Sequence, residues 1–168
     1  LITGLFEQIQ HAKPESRRTP MALVGLGGYG RGQLAPHSDI DLLFLTQNPI
    51  SDDAAGAVEA LLYVLWDAGF KVGQAVRSMS QCMTEANDDV RTLTSMIENR
   101  LITGDVGLAA RLDDKIKQLL RGGRSRRFTD EKMAERRNRY MQPGNSRYAL
   151  EPHVKEGIGG LRDLHTLY

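Results

Sequence analysis

Cysteine is almost missing from this 168-residue chain, with Cys82 standing alone. One thiol excludes an internal disulfide and any cysteine-based zinc cluster, and it suits a reducing compartment, so a cytoplasmic setting is expected. No apolar run approaches the ~18 residues of a membrane span, and no signal peptide is recognisable. An excess of one charge is lacking too. The 22 basic and 21 acidic side chains nearly cancel, which argues against a general nucleic-acid binder. At 40% hydrophobic and 26% charged, the chain is ordinary for a soluble globular protein and long enough for one domain, or one and a half, with a real core. It opens at Leu1 without a methionine and stops at Tyr168 inside a helix-like pattern, so it reads as a piece of a longer protein.

The stretch that carries chemistry is Met21 to Leu45, MALVGLGGYGRGQLAPHSDIDLLFL. It reads as a strand (Met21 to Leu26), a glycine-rich active loop (Gly27 to Ser38) and a second strand entered through Asp39-Ile40-Asp41. Alternation along a strand points Asp39 and Asp41 the same way, with Ile40 and Leu42 opposite. Two like charges held roughly 7 Å apart repel unless something positive sits between them. A hard divalent cation with oxygen ligands answers that need, and Mg²⁺ also binds substrate phosphates. Just upstream, Gly27, Gly28 and Gly30 allow a tight turn whose backbone N–H groups approach an anion. Carboxylates for metal beside glycines for phosphate imply metal-assisted chemistry on a nucleoside triphosphate, with Asp39 and Asp41 as metal ligands and catalytic residues. Solvated turn aspartates are the competing reading, disfavoured by their register with an apolar strand.

Gly25-Leu26-Gly27-Gly28-Tyr29-Gly30 also satisfies G-x-G-x-x-G. A dinucleotide site needs a helix opening straight from those glycines and an acid at the end of the next strand. Pro36 leaves no room for that helix, and the acids stand at the strand's start. A kinase glycine loop would need a later V-A-I-K lysine and an H-R-D loop, and the sequence has neither.

Around this stretch, Leu1 to Lys13 reads as an amphipathic helix and Pro14 to Pro20 as a polar connection in which Arg17 and Arg18 are solvated. Val58, Leu61, Leu62 and Leu65 give a helix closed by Gly69, with Trp66 in the core. Phe70 to Met79 alternates as a third strand that holds no acid. Beyond Ser80 the pattern turns helical. Val90, Leu93, Ile97 and Leu101 form one stripe closed by Gly104, and Leu108, Leu112, Ile116 and Leu119 form the next. Residues 121–139 hold eight basic and three acidic side chains. A solvated helix is the simpler reading of that segment, and attraction for a triphosphate or an acidic protein the alternative. Several nucleotide-binding candidates keep two readings. Arg31 and Arg77 suit a triphosphate or an ion pair. Ser38 offers its hydroxyl to phosphate or caps the turn, and His37 is structural. Gly157, Gly159 and Gly160 beside Lys155 and Arg162 make a second anion-binding turn or a packing element.

"GLGGYGRGQLAPHSDIDLLFL" resembles the signature of the DNA-polymerase-β-like nucleotidyltransferase superfamily. Together with "LEPHVKEGIGGLRDLHTLY" it is similar to the N-terminal part of the PII uridylyltransferases, the bifunctional uridylyltransferase/uridylyl-removing enzymes of bacterial nitrogen sensing. The resemblance covers nearly the whole chain. It implies an α+β fold: a small mixed β-sheet nucleotidyltransferase core with flanking helices over residues 1–86, then a helical subdomain over 87–168. It also implies transfer of UMP from UTP, with Mg²⁺, to a tyrosine of the trimeric PII signalling protein, releasing pyrophosphate. Glu151, Lys155, Gly159, Gly160, Arg162 and Asp163 match the family's second block, expected to close over the nucleotide. Many superfamily members place a third carboxylate on the third strand, and this sequence departs from that. A related enzyme of protein adenylyl transfer and a non-catalytic nucleotide-binding module are the other classes to weigh. None of the four histidines precedes an aspartate, so the family's uridylyl-removing site is not expected here.

Overall fold

The computed structural model describes residues 2–11, 20–34, 38–141 and 153–165. The expectations for Arg17, Arg18, Pro36, His37 and Glu151 lie outside these. The chain divides into two compact units, Leu1–Leu119 and Leu120–Tyr168.

The first unit is built on a four-stranded mixed sheet of order β3-β2-β1-β4. β1 (Met21–Gly25) and β2 (Ile40–Thr46) pair antiparallel, Val24 opposite Leu43. Both strands are almost wholly apolar and buried, as strands covered on two faces must be. β3 (Val72–Ser78) runs parallel to β2, which demands a crossover, and helix α3 (Asp52–Asp67) supplies it. Ser51 caps α3 through its side chain. On one face of the sheet, Leu23, Ile40, Leu42 and Phe44 pack with Phe6 of α1 (Ile2–His11) and with Val58, Leu61 and Leu65 of α3. A small crevice lined by Phe6, Ile9, Met21, Phe44 and Leu61 lies on that face. The alternate residues Ala22, Val24, Leu43 and Leu45 are fully buried, as are Leu93, Met96, Leu108 and Leu112 of the helices that follow β3.

Those helices are α4 (Met79–Asp88), α5 (Val90–Ile97) and α6 (Val106–Leu119). α4 opens with a capping box between Ser78 and Gln81, and Asp89 caps α5 through the Thr92 amide. The stripe read as one helix from Val90 to Leu101 is cut short. α5 ends at Ile97, which is exposed, and Arg100–Gly104 is strand β4, antiparallel to β1. The spacing of Leu101 fits a helix, but the open edge of β1 takes Arg-Leu-Ile-Thr-Gly as a ladder partner. Residues 87–119 therefore sit with the sheet, and the division read at residue 86 differs from the compact units, which part after Leu119. Trp66 is also displaced from its expected place in the core. It is 45% exposed and meets the Tyr63 ring edge-on at 5.8 Å.

In the second unit, α7 (Gly123–Tyr140) has no buried residue and is laced by ion pairs, the exposed Arg127 on Glu131 and the largely covered Lys132 on Glu135, so only one face of it is solvated. A turn-rich segment leads to the four-residue α8 (Leu161–Leu164). No described helix is long and apolar enough to cross a membrane.

Candidate nucleotide and metal site

The expected loop after β1 contains a single helical turn, α2 (Gly27–Gly30). Gly27 takes φ 54, a left-handed conformation that glycine adopts without strain, so the chain leaves β1 sharply. The Leu26 N–H then donates to the Asp41 carbonyl at 2.9 Å, fastening the turn to β2. Asp39 precedes the strand and Asp41 lies within it. Both are exposed while Ile40 between them is buried, the alternation that a shared face requires.

Two glycines flank the Asp41 carboxylate. A Cβ built on Gly27 would stand 3.7 Å from Oδ2, and one on Gly73 only 2.5 Å from Oδ1. Gly73 is the β3 residue in register with Asp41. The β3 position in register with Asp41 therefore carries no side chain, and the Asp41 carboxylate occupies that space. Among the described residues no cluster of three or more His, Cys, Asp or Glu side chains is present. The donor set still suits a hard divalent ion. It consists of carboxylate oxygens alone, on two exposed residues.

Arg31 ends α2 and pairs with Glu98, while its Nε donates to Gln33 at 3.2 Å. Of its two readings, the ion pair is the one seen, with the guanidinium near Gly28. Ser38 is half-buried, next to Asp39. Arg77 lies opposite Leu45, about 13 Å along β3 from Gly73, and pairs with Glu85. It is therefore not brought together with Asp39, Asp41, Gly27, Gly28 and Arg31. Cys82, beside Arg77 and Glu85, is buried. Burial pushes its thiol up to about 11 against the opposing pull of Arg77, so it is no nucleophile near neutral pH.

Two residues that sequence reasoning passed over hold the turn. Arg100 of β4 donates to the carbonyls of Gly30 (3.1 Å) and Tyr29 (2.9 Å) and stacks 5.5 Å from the centre of the Tyr29 ring. Glu98 takes Arg31 on its side chain, and its backbone carbonyl is packed against Gly30 so closely that a Cβ there would overlap it.

In the second unit, Lys155 and Arg162 are exposed, and Arg162 pairs with Glu156 at 2.8 Å and Glu135 at 3.7 Å. Of the two readings of Gly157, Gly159 and Gly160, the packing element is the one seen. Their N–H groups donate within the segment, to the His153 carbonyl, the Asp163 carboxylate and the Gly157 carbonyl. Asp163 is the centre of this unit. It accepts from Gly159 N–H (2.8 Å), Arg139 Nη2 (2.6 Å) and the Tyr140 hydroxyl. Burial alone would raise its carboxyl, but the Tyr140, Gly159 and Arg139 hydrogen bonds and the Arg136 charge outweigh it and hold the group below the ordinary carboxylate value. A depressed folded pKa adds stability above the unfolded value of about 3.9, and that stability is lost as pH falls through the folded value. Asp163→Asn is therefore expected to cost about 1–3 kcal/mol near neutral pH. The deficit should shrink on acidification below about pH 4 as the native carboxyl is itself protonated. Urea titrations of both chains across that range measure it, and a pH-independent deficit would contradict the assignment.

Comparison with known proteins decides the family. Over 148 residues, 88% of this chain, the sequence is 45% identical to the bifunctional uridylyltransferase/uridylyl-removing enzyme of Cereibacter sphaeroides. The chain belongs to the PII-uridylyltransferase family. The family model described as GlnD PII-uridylyltransferase matches residues 127–168. The Rhodospirillum rubrum enzyme of the same description is 44% identical over 94% of the chain, and that of Rhodopseudomonas palustris 42% over all of it. The chain spans only 16% to 18% of the length of these relatives. A toxin–antitoxin crystal structure with AMP-PNP covers 80% of this chain and 95% of its own at 12% identity and a TM-score of 0.44, too distant to bear on function.

Proposed function

We propose that this chain is the nucleotidyl-transfer region of a uridylyltransferase, moving UMP from UTP to a tyrosine hydroxyl of the PII signalling protein and releasing pyrophosphate in the cytoplasm. One observation carries the reading: the Asp41 carboxylate lies between Gly27 of the turn and Gly73 of β3, with Asp39 exposed two residues away. The names of the relatives support uridylyl transfer as the reaction.

Asp39 and Asp41 would hold Mg²⁺ through carboxylate oxygens. When bound, that ion supplies Lewis-acid neutralisation of the triphosphate. The chain's own residues do the rest. Gly27 and Gly28 present backbone without side chains, so phosphate oxygens can approach their N–H groups. Arg31, held near Gly28, adds positive charge on that side. One of the two carboxylates takes the proton of the incoming hydroxyl. Arg77, Ser38, Lys155 and Arg162 are further candidates for the nucleotide. Arg77 itself lies four residues along β3 from Gly73, the register partner of Asp41.

Thermal unfolding with each of the four nucleoside triphosphates, with and without Mg²⁺, tests the reading. UTP with Mg²⁺ should raise the melting temperature most, because a ligand that binds only the folded state stabilises it by mass action. A larger shift with ATP would move the assignment to adenylyl transfer, and no shift with any nucleotide would defeat it.

A further inference from the structure

α2 should not persist unaided. It is a single turn of sequence Gly-Gly-Tyr-Gly, and one turn pays the full cost of helix nucleation. Three of its four residues are the poorest helix formers after proline. A helix end also leaves its last carbonyls without partners. Here the Gly30 carbonyl is taken by a guanidinium from β4, Arg100, which also shares the Tyr29 carbonyl with the Gly32 N–H and covers the Tyr29 ring. The next residue of the turn, Arg31, is taken by Glu98, and Gly30 rests on the Glu98 carbonyl. Three consecutive residues of the turn are thus held by Glu98 and Arg100, at the corner where α5 gives way to β4. At its other end the turn is tied to β2 by Leu26 N–H on the Asp41 carbonyl.

We propose that Glu98 and Arg100 are positioning residues of the nucleotide site: a latch that holds the glycine turn in its ligand-ready shape beside Asp41. Neither touches Asp41 in the contacts above, so they act through α2. The placement of the turn follows from the geometry alone, and its consequence for UTP rests on the reading of this site as nucleotide-binding.

Arg100→Met keeps an unbranched apolar stem and removes both carbonyl contacts. Arg100→Lys restores a donor, and Glu98→Gln removes the charge facing Arg31 while keeping the shape. Amide hydrogen exchange of the turn reads the latch directly and needs no nucleotide. Gly30, Arg31, Gly32 and Gln33 donate to Leu26, Gly27, Tyr29 and Gly28 carbonyls. In Arg100→Met these four amides should exchange roughly tenfold faster or more, since one ordinary hydrogen bond is worth about that factor. Leu43 and Phe44 of β2 should be unchanged, Arg100→Lys should recover most of the protection, and Glu98→Gln should show the same pattern more weakly. The apparent Kd for UTP with Mg²⁺ should weaken about tenfold in Arg100→Met. Val58→Ala, a core position of α3, should lose stability without losing binding. Exchange of the four amides within about twofold of the unaltered chain in both Arg100→Met and Glu98→Gln would overturn the latch. So would a loss of binding matched by Val58→Ala. Failure of the unaltered chain to bind UTP would sink the nucleotide reading instead, with the exchange data still deciding the latch.

Discussion

Asp41→Asn should erase the Mg²⁺-dependent part of UTP stabilisation while the chain remains folded. At a UTP concentration a hundredfold above Kd, binding adds about 2.7 kcal/mol to the folded state. For a chain of this length that corresponds to roughly 5–10 °C of melting temperature, at about 2–4 °C per kcal/mol. Asparagine keeps the shape of aspartate and leaves the backbone carbonyl free to accept from Leu26. What it removes is one of two negative charges, and with it the reason for a hard cation to bind. Because Asp41 is exposed on its strand, the substitution empties no core position and leaves Ile40 and Leu42 buried as before. The melting curve without nucleotide should therefore move little, and the curves with and without Mg²⁺ should coincide. If Asp41→Asn keeps the full Mg²⁺-dependent shift, the metal lies elsewhere and the role given to this pair is wrong.

Much of this site was legible because its signals are local. Two apolar runs bracket a cluster of glycines, so β1, the turn and β2 follow from residues less than thirty apart. The Asp-Ile-Asp entry fixed its own facing by simple alternation, and the exposure of Asp39 and Asp41 around buried Ile40 agrees. What escaped depended on distant partners. β4 is a strand because β1 has a free edge, whereas Val90, Leu93, Ile97 and Leu101 satisfy helical spacing just as well. Arg100 lies 70 residues in sequence from the Gly30 carbonyl it holds, and nothing in Glu-Asn-Arg announces that contact. Arg31 and Arg77 were each left between phosphate and carboxylate, and only the fold brings Glu98 and Glu85 within reach. The second glycine cluster was left between two readings for a different reason. Glycines beside Lys155 and Arg162 look like an anion turn, but Asp163 takes the Gly159 N–H and nearby backbone carbonyls take those of Gly157 and Gly160.

The β3 position in register with Asp41 is a glycine, and it yields the most discriminating test. Gly73→Ala should leave stability within about 1 kcal/mol of the unaltered chain. The added methyl meets the end of a mobile side chain, Asp41 Oδ1 at 2.5 Å, and no backbone atom. Alanine also limits the unfolded chain, an effect worth about 0.4–1 kcal/mol in favour of folding where the backbone conformation suits it, and Gly73 sits in a regular strand. The carboxylate, however, must swing away to make room. A displacement of about 1 Å at a reacting group is enough to cost roughly a hundredfold. UTP affinity in Mg²⁺ and the rate of pyrophosphate release should therefore fall about a hundredfold, with the melting temperature nearly unchanged. Gly56→Ala is the natural control. That glycine lies in α3 with nothing within 4 Å of an added Cβ, so alanine there should stabilise the chain by about 0.8–1.0 kcal/mol and leave binding alone. Should Gly73→Ala bind UTP and Mg²⁺ as tightly as the unaltered chain, the Asp41 carboxylate does not need the position in which β3 holds it.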